Sequence, residues 1–429
     1  MSETAKLIIG DETYELPIVV GSEGERAIDT TSLRQDSGYI TLDPGYANTG
    51  SCKSAITFVN GEKGVLRYRG YPIETLAEQS SFIETAMLLI FGELPTSQER
   101  ADFRTLLGEQ EFLHTDLMHH FEGFPASGSP MAILSAVINS LGTFSPDLYD
   151  VVTPDRFRLA AAKLMSKVRT IAAFAFRKSI GRPIIYPNTK LGYCHNFLHM
   201  MFSMPYQIFE PRYEAIDALE LFLIVHADHE QNCSCSTVRM VGSSEANLFA
   251  SVASGICALW GRLHGGANVG VIETLQRIQK GELTVPECIE KVKTKQIKLM
   301  GFGHRVYKSF DPRAKILKRA AHKLLAAMGH KHDPLLAIAQ ELEDAALNDP
   351  YFTGRKLYPN VDFYSGIILR ALGIPTPMFP VMFAIGRLPG WIAHWNEEFR
   401  DPTTRIHRPR QIYVGPHVRE YVAIENRKG

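Results

Sequence analysis

From Pro72 almost to the end of the chain, apolar residues recur at steps of three and four, and no other feature constrains the fold as much. Phe157, Ala161, Leu164, Val168 and Ile171 share one face of a helix that opens at Thr153-Pro154-Asp155 and stops at Gly181. Ile216, Leu219, Leu223 and His226 mark another such face. The same period predicts helices over residues 73–91, 130–142, 244–260, 267–280, 286–299, 312–328, 334–347, 361–371 and 380–396. The first 68 residues read differently. LIIGDETYELPIVV alternates about a turn, and Asn60-Gly61 separates two apolar runs as a hairpin turn does. The expected fold is mostly α with a small N-terminal β region and no internal repeat.

Composition limits what such a chain does. With 429 residues, 45% of them hydrophobic, it can bury a core large enough for more than one domain. Lys+Arg and Asp+Glu balance at 46 each and no long basic run occurs, which argues against nucleic acid or an anionic membrane as the main partner. No apolar run approaches the roughly 20 residues of a membrane span, and the first residues do not read as a signal peptide. Six cysteines without a CxxC pair fit a reducing, cytoplasmic setting.

Four stretches carry residues suited to chemistry. In GFGHRVYKSFDPR, Gly301 to Arg313, a histidine sits between flexible segments, and Asp311-Pro312 opens a helix with Asp311 as N-cap. Arg313 falls in the first turn, the wrong end of the helix dipole for a cation, so it either helps to bind an anion or is a solvated surface residue. In GRLHGGAN, His264 precedes two glycines and a helix start; such an imidazole stays neutral and can donate to a developing oxyanion, unless it merely shapes a tight turn. In YPNVDFYSG, Asp362 is either a base or a simple complement to the helix dipole. HADHEQNCSC offers His226, His229, Cys233 and Cys235, a conceivable metal set whose HxxHE order matches no zinc-protease motif. Arg387, Arg408 and Arg410 lack acidic partners nearby in sequence and read locally as surface cations.

Together these stretches resemble the citrate synthase family. GFGHRVYKSFDPR, HGGAN, HADHEQN, STVR, KLYPNVDFYSGI and RPRQ are similar to its active-site segments, and RGYPIETLAEQSSFIETAMLLIFGELP to its early helix and turn. The resemblance spans nearly the whole chain and follows the family's order. It implies a two-domain, all-helical citrate synthase fold: a β-rich region over 1–68, a large helical domain over 69–275, a small one over 276–385 that closes on it, and a C-terminal segment, 386–429, returning to the large domain. The β-rich start is similar to the bacterial type that forms a homohexamer from homodimers.

The implied reaction condenses acetyl-CoA with oxaloacetate and hydrolyses citryl-CoA to citrate and CoA. Catalysis would fall to His264, His304 and Asp362; oxaloacetate would be held by His229, Arg313, Arg387 and Arg408, the last supplied by the partner subunit. Arg305 and Lys308 would face CoA, a substrate, and neither a cofactor nor a metal is implied. 2-Methylcitrate synthase, using propionyl-CoA, is the nearest alternative, because one methylene is discriminated by only about 1–3 kcal/mol in an apolar pocket. An acyl-CoA-binding helical sensor would have lost the catalytic groups, and a zinc hydrolase would depend on the HADHEQNCSC set.

Departures from the family's pattern occur at Cys233-Ser-Cys235, at Arg262-Leu263 and at Ser129. Where NADH-inhibited members carry cations and a cysteine, this chain has Glu109, Gln110, Asn188 and Tyr206, while Lys163 and Lys167 keep their charge. Weak NADH inhibition is expected, since Glu109 would repel a pyrophosphate.

Overall fold

The computed structural model describes residues 3–329 and 333–427. Its described residues form eighteen α-helices and two three-stranded antiparallel sheets, the mostly α fold that the periodicity predicts. Two compact units emerge. One combines the chain up to Ser54 with the chain from His407 onward, and the other runs from Ala55 to Ile406. The range 276–385 lies wholly within the second.

In the first unit, Thr4–Ile9 pairs with Glu12–Val20, which pairs in turn with Arg26–Ile28. Gly10, at φ 62°, makes the turn between the first two strands. Past His407 the chain is largely extended, and Ile412, Tyr413, Val414, Val418 and Tyr421 stand exposed.

In the second unit, a hairpin of Thr57–Asn60 and Val65–Tyr68 is joined by Tyr71–Pro72. The Asn60-Gly61 turn lies where the sequence puts it, and it supports the His304 loop: Lys308 N–H donates to Gly61 O at 2.9 Å. A Cβ on Gly61 would stand 2.2 Å from Val306 O, so glycine is required there.

Most predicted helices form within a residue or two of their expected ends. The expected 73–91 helix is broken into Ile73–Gln79 and Phe82–Phe91, because Ser81 and Glu84 form a capping box that opens a second helix. The helix expected over 286–299 ends at Lys293, before Lys295 at φ 60°. Six helices escaped the periodicity analysis: the short Leu33–Ser37 and Pro350–Gly354, and Ser97–Glu109, Thr115–Gly123, Tyr193–Phe202 and Cys233–Gly242. The last begins at the Asn232 N-cap, whose Oδ1 accepts from Cys235 N–H at 3.1 Å.

Phe379–Arg400 carries the core of this unit, burying Phe383, Leu388, Trp391, Ile392 and Trp395. Pro389 interrupts its hydrogen-bond ladder, and Gly390 N–H donates instead to Ala227 O at 3.1 Å. That contact ties the helix to the segment bearing His226, Asp228 and His229. No helix among the described residues is long and apolar enough to cross a membrane.

Candidate active site

Asp311 organises the site. As N-cap of Pro312–Ala327 its Oδ1 accepts from Arg313 N–H at 3.0 Å, and its Oδ2 accepts at 3.1 Å from Val361 N–H, the start of the next helix, Val361–Ala371. The same carboxylate receives Arg313 Nε at 3.0 Å and Nη2 at 2.9 Å. Arg313 is 2% exposed, which rules out a solvated surface cation. Its first-turn position carries no dipole penalty of note, because a carboxylate capping two helices meets it as a bidentate partner. Burial works against the charge, yet Asp311 outweighs it and holds the guanidinium protonated.

The His304 loop is tied to the start of the Asp362 helix. Gly303 N–H donates to Tyr358 O at 2.8 Å, Asn360 N–H to Gly301 O at 2.9 Å, and Asn360 Nδ2 to Gly303 O at 2.8 Å. Gly301 and Gly303 have φ of 80° and 74°, and a Cβ on either would stand 2.7 Å from a neighbouring side chain. His304 Nδ1 accepts from Val306 N–H at 3.0 Å and Tyr307 N–H at 3.2 Å. Backbone amides can only donate, so Nδ1 is unprotonated and Nε2 carries the proton. Burial, then the Arg313 charge, lowers the His304 pKa to about 4.

His264 is fixed in the opposite tautomer. Its Nε2 lies 3.3 Å from Ser234 N–H and 2.9 Å from Ser234 Oγ. The amide again makes the facing nitrogen an acceptor, which leaves the proton on Nδ1. Trp391 Nε1 donates to Ser234 Oγ at 3.0 Å, and the single Ser234 hydroxyl proton is shared between His264 Nε2 and Asn232 Oδ1, the latter 2.8 Å away. Burial, then Arg387, brings the His264 pKa to about 3, so this ring is neutral throughout the useful pH range.

Ring contacts join these parts. His229 lies 5.2 Å from His304 and 5.5 Å from Tyr307, centre to centre, and its Nε2 is 3.2 Å from Tyr307 Oη. Its pKa is pushed well down, first by burial and then by Arg313. Phe383 touches His264 and His226 at 5.9 and 4.7 Å, and Arg387 lies over the same ring at 5.0 Å. Arg387 is 1% exposed, so its reading as a surface cation fails. Its Nε donates to His226 O at 2.7 Å, whereas Nη1 is buried and meets no acceptor among the described residues. A buried guanidinium N–H without an acceptor is costly unless a ligand supplies one.

Asp362 sits in the first turn of Val361–Ala371, with its own N–H capped by Asn360 Oδ1 at 3.0 Å. Burial raises its pKa from 3.8 to about 6, against the opposing pull of Arg313 and Arg387. An aspartate that only complemented the helix dipole would be held low rather than raised.

The HADHEQNCSC residues do not converge on one ion. His226 Nδ1 donates to Phe222 O at 2.7 Å, His229 faces Tyr307, and Cys233 is exposed. Cys235 instead meets Asp228. Arg408 lies in the first compact unit, exposed, as do Arg410 and, in the second unit, Arg305 and Lys308. Sequence reasoning missed Ser234, Trp391, Tyr307 and the pairing role of Asp311. The Asp-x-Arg spacing was the available signal for Asp311; nothing local marks Trp391, which is distant in sequence from Ser234.

The second unit thus holds a carboxyl of raised pKa, neutral imidazoles with assigned N–H donors and two buried arginines, groups suited to proton transfer and to binding anions. The chain belongs to the citrate synthase family, and so is an acyltransferase: the family's C-terminal domain matches residues 45–410. It is 50% identical over 427 residues to citrate synthase 1 of Mycobacterium tuberculosis, covering 99% of each chain. The structure is similar to that of citrate synthase from Pyrobaculum aerophilum, at TM-score 0.82 and 36% identity over 96% of this chain and 97% of that one. It is also similar to citrate synthase from Thermoplasma acidophilum, solved as a ternary complex with carboxymethyl coenzyme A and oxaloacetate; the TM-score is 0.83, with 29% identity over 90% of this chain and 100% of that one.

Proposed function

We propose that the chain condenses acetyl-CoA with oxaloacetate and hydrolyses the resulting citryl-CoA to citrate and CoA. The observation that carries this reading is that one unit holds Asp362, at a pKa of about 6, and two neutral imidazoles with their protons on opposite nitrogens. Asp362 takes a methyl proton from the thioester. That carbon acid is very weak, so the enolate oxygen must be stabilised as the proton leaves, and His264 Nδ1–H is the donor. His304 Nε2–H polarises the ketone that the enolate attacks. His229, Arg313 and Arg387 hold the two carboxylates, and Arg387 Nη1 finds its acceptor there.

Arg408 completes the oxaloacetate site from a second copy of the chain, which makes a homodimer the smallest active unit. The exposed apolar residues along the same C-terminal segment, Ile412, Tyr413 and Val414 among them, suit burial against another copy. A fully active monomer in sedimentation would remove this part of the reading. Arg305 and Lys308 meet the phosphates of CoA. Behind Phe302 a cavity of about 380 Å³, lined by Lys295, Lys298, Phe352 and Leu357, offers apolar and cationic surface to its nucleotide end. Closure of 276–385 over the larger domain would bring the parts together after oxaloacetate binds.

The direct test is thiol release from a series of acyl-CoAs with oxaloacetate. Acetyl-CoA is expected to give the highest kcat/KM; a higher value for propionyl-CoA would move the assignment to 2-methylcitrate formation. Arg387→Leu should raise KM for oxaloacetate about 10- to 100-fold, the scale of a lost charged hydrogen bond, with kcat less affected. Arg313→Leu should also destabilise the fold by about 3–5 kcal/mol, since it strands Asp311 in the core. A melting temperature unchanged by Arg313→Leu would contradict that account.

Inhibition by NADH should be weak. Lys163 and Lys167 line a cavity of about 240 Å³ with Gln110, but Lys163 Nζ already donates to Ser145 Oγ at 2.7 Å and Lys167 Nζ to Phe112 O. Burial, then Lys163, lowers the Lys167 pKa to about 8. Glu109, Asn188 and Tyr206 are exposed and bring no cation. Strong inhibition by sub-millimolar NADH at low salt would overturn this.

A further inference from the structure

We propose that Asp228, Cys235 and His394 form a site for a thiophilic divalent cation of the Zn²⁺ or Cd²⁺ type, whose binding inhibits the enzyme by drawing Ser234 away from His264. All three side chains are fully buried, and their donor atoms lie within 4.8 Å of one another. Cys235 Sγ is 3.4 Å from Asp228 Oδ1, and His394 Nε2 is 3.3 Å from Asp228 Oδ2. Bonds of about 2.0–2.3 Å in a tetrahedral zinc site put neighbouring ligand atoms roughly 3.3–3.8 Å apart, so little movement is needed. Gly390 keeps the space beside the carboxylate open, since a Cβ there would stand 2.4 Å from Asp228 Oδ1.

The donor set also balances charge. One carboxylate and one thiolate cancel a divalent ion, and a neutral imidazole adds none, so the occupied site is neutral in a buried setting. Coordination releases the thiol proton to solvent. The imidazole, whose Nε2–H donates to Asp228 Oδ2 in the structure, moves that proton to Nδ1, which faces Gln231 at 3.3 Å, and the Gln231 amide turns to accept it. Gln231 and Asn232 are only half buried, and they follow Glu230 at φ 55°, so the turn above the cluster is the route in.

The coupling to catalysis runs through Asn232. Its Nδ2 donates to Cys235 Sγ at 3.0 Å, while its Oδ1 accepts from Cys235 N–H and lies 2.8 Å from Ser234 Oγ. Ser234 in turn sets the tautomer of His264. A cation that takes the sulfur displaces Asn232, the N-cap of Cys233–Gly242, and so shifts the helix start with both Ser234 N–H and Oγ off the imidazole. The inhibitory half rests on the function proposed above; the binding half does not.

The test uses the full chain with Cys52, Cys233 and Cys257, the three cysteines not buried, changed to serine. Titration with Cd²⁺ should give an ultraviolet cadmium–thiolate band that saturates at one equivalent, with parallel loss of thiol release that a chelator reverses. Cys235→Ser, which can keep both hydrogen bonds, should lose the band and the inhibition while retaining activity. Gln231→Ala should weaken binding about 10- to 100-fold, and it serves if Cys235→Ser does not fold. The proposal fails if the band is absent, if one equivalent binds without inhibiting, or if Cys235→Ser is inhibited equally. Because the band needs no turnover, an inactive enzyme that still binds Cd²⁺ counts against the proposed reaction and not against the site.

Discussion

Asp362→Asn should lower kcat at least about 100-fold and at the same time make the folded chain more stable at neutral pH. The first effect follows from removing the only group proposed to accept the methyl proton, since a positioned base contributes about 10²- to 10⁴-fold. The second follows from linkage. Burial raises the Asp362 pKa from 3.8 to about 6 in the folded state, so ionising it there is harder than in the unfolded chain. Stability from this group is fully present below pH 3.8 and is lost as pH rises through about 6. By pH 7 the loss approaches about 3 kcal/mol, and asparagine, which cannot ionise, avoids it. The parent enzyme should also lose kcat/KM below about pH 6, as the free base is protonated. Chemical denaturation at pH 7 and a pH–rate profile check both halves; a variant that is less stable and nearly as active would refute the role.

His264→Ala should lower kcat by about 10²- to 10³-fold, the range for one lost oxyanion donor, while oxaloacetate binding changes little. Its KM and kcat effects should separate because Nδ1–H is needed only once negative charge develops on the thioester oxygen. With the His264 pKa at about 3, the remaining activity should keep the parent's pH dependence above pH 5, which Asp362 governs. Full activity in a folded variant, or a large rise in KM for oxaloacetate alone, would move His264 out of this role. Ser234→Ala offers a milder version, because Ser234 N–H still faces Nε2 and still assigns the tautomer.

Much of this site was legible locally. Asp311 as N-cap, Pro312 at the first helical position and the glycines around His304 all act within a few residues, where sequence and geometry are directly coupled. The helical spacing from Pro72 onward sufficed for the fold class, but it joined Ile73–Gln79 to Phe82–Phe91 across a capping box that only Ser81 and Glu84 signalled. Polar helices such as Ser97–Glu109, with few apolar positions to repeat, left too weak a period to read.

Arg313 and Arg387 show where local reading stops. Arg387 looks like a surface cation in sequence and Arg313 is open between an anion site and the surface; both are buried, Arg313 with a carboxylate two residues away and Arg387 on a helix packed against residues far back in the chain. The sequence by itself determined which side chains could act: a carboxyl in a helix's first turn, imidazoles beside glycines, arginines for carboxylates. Only the tertiary structure decided their states. The proton on His264 is placed by Ser234 N–H, that on His304 by the amides of Val306 and Tyr307, and the pKa of Asp362 is raised by burial. Desolvation and hydrogen-bond direction depend on what the folded chain brings alongside, and no local pattern of residues encodes that.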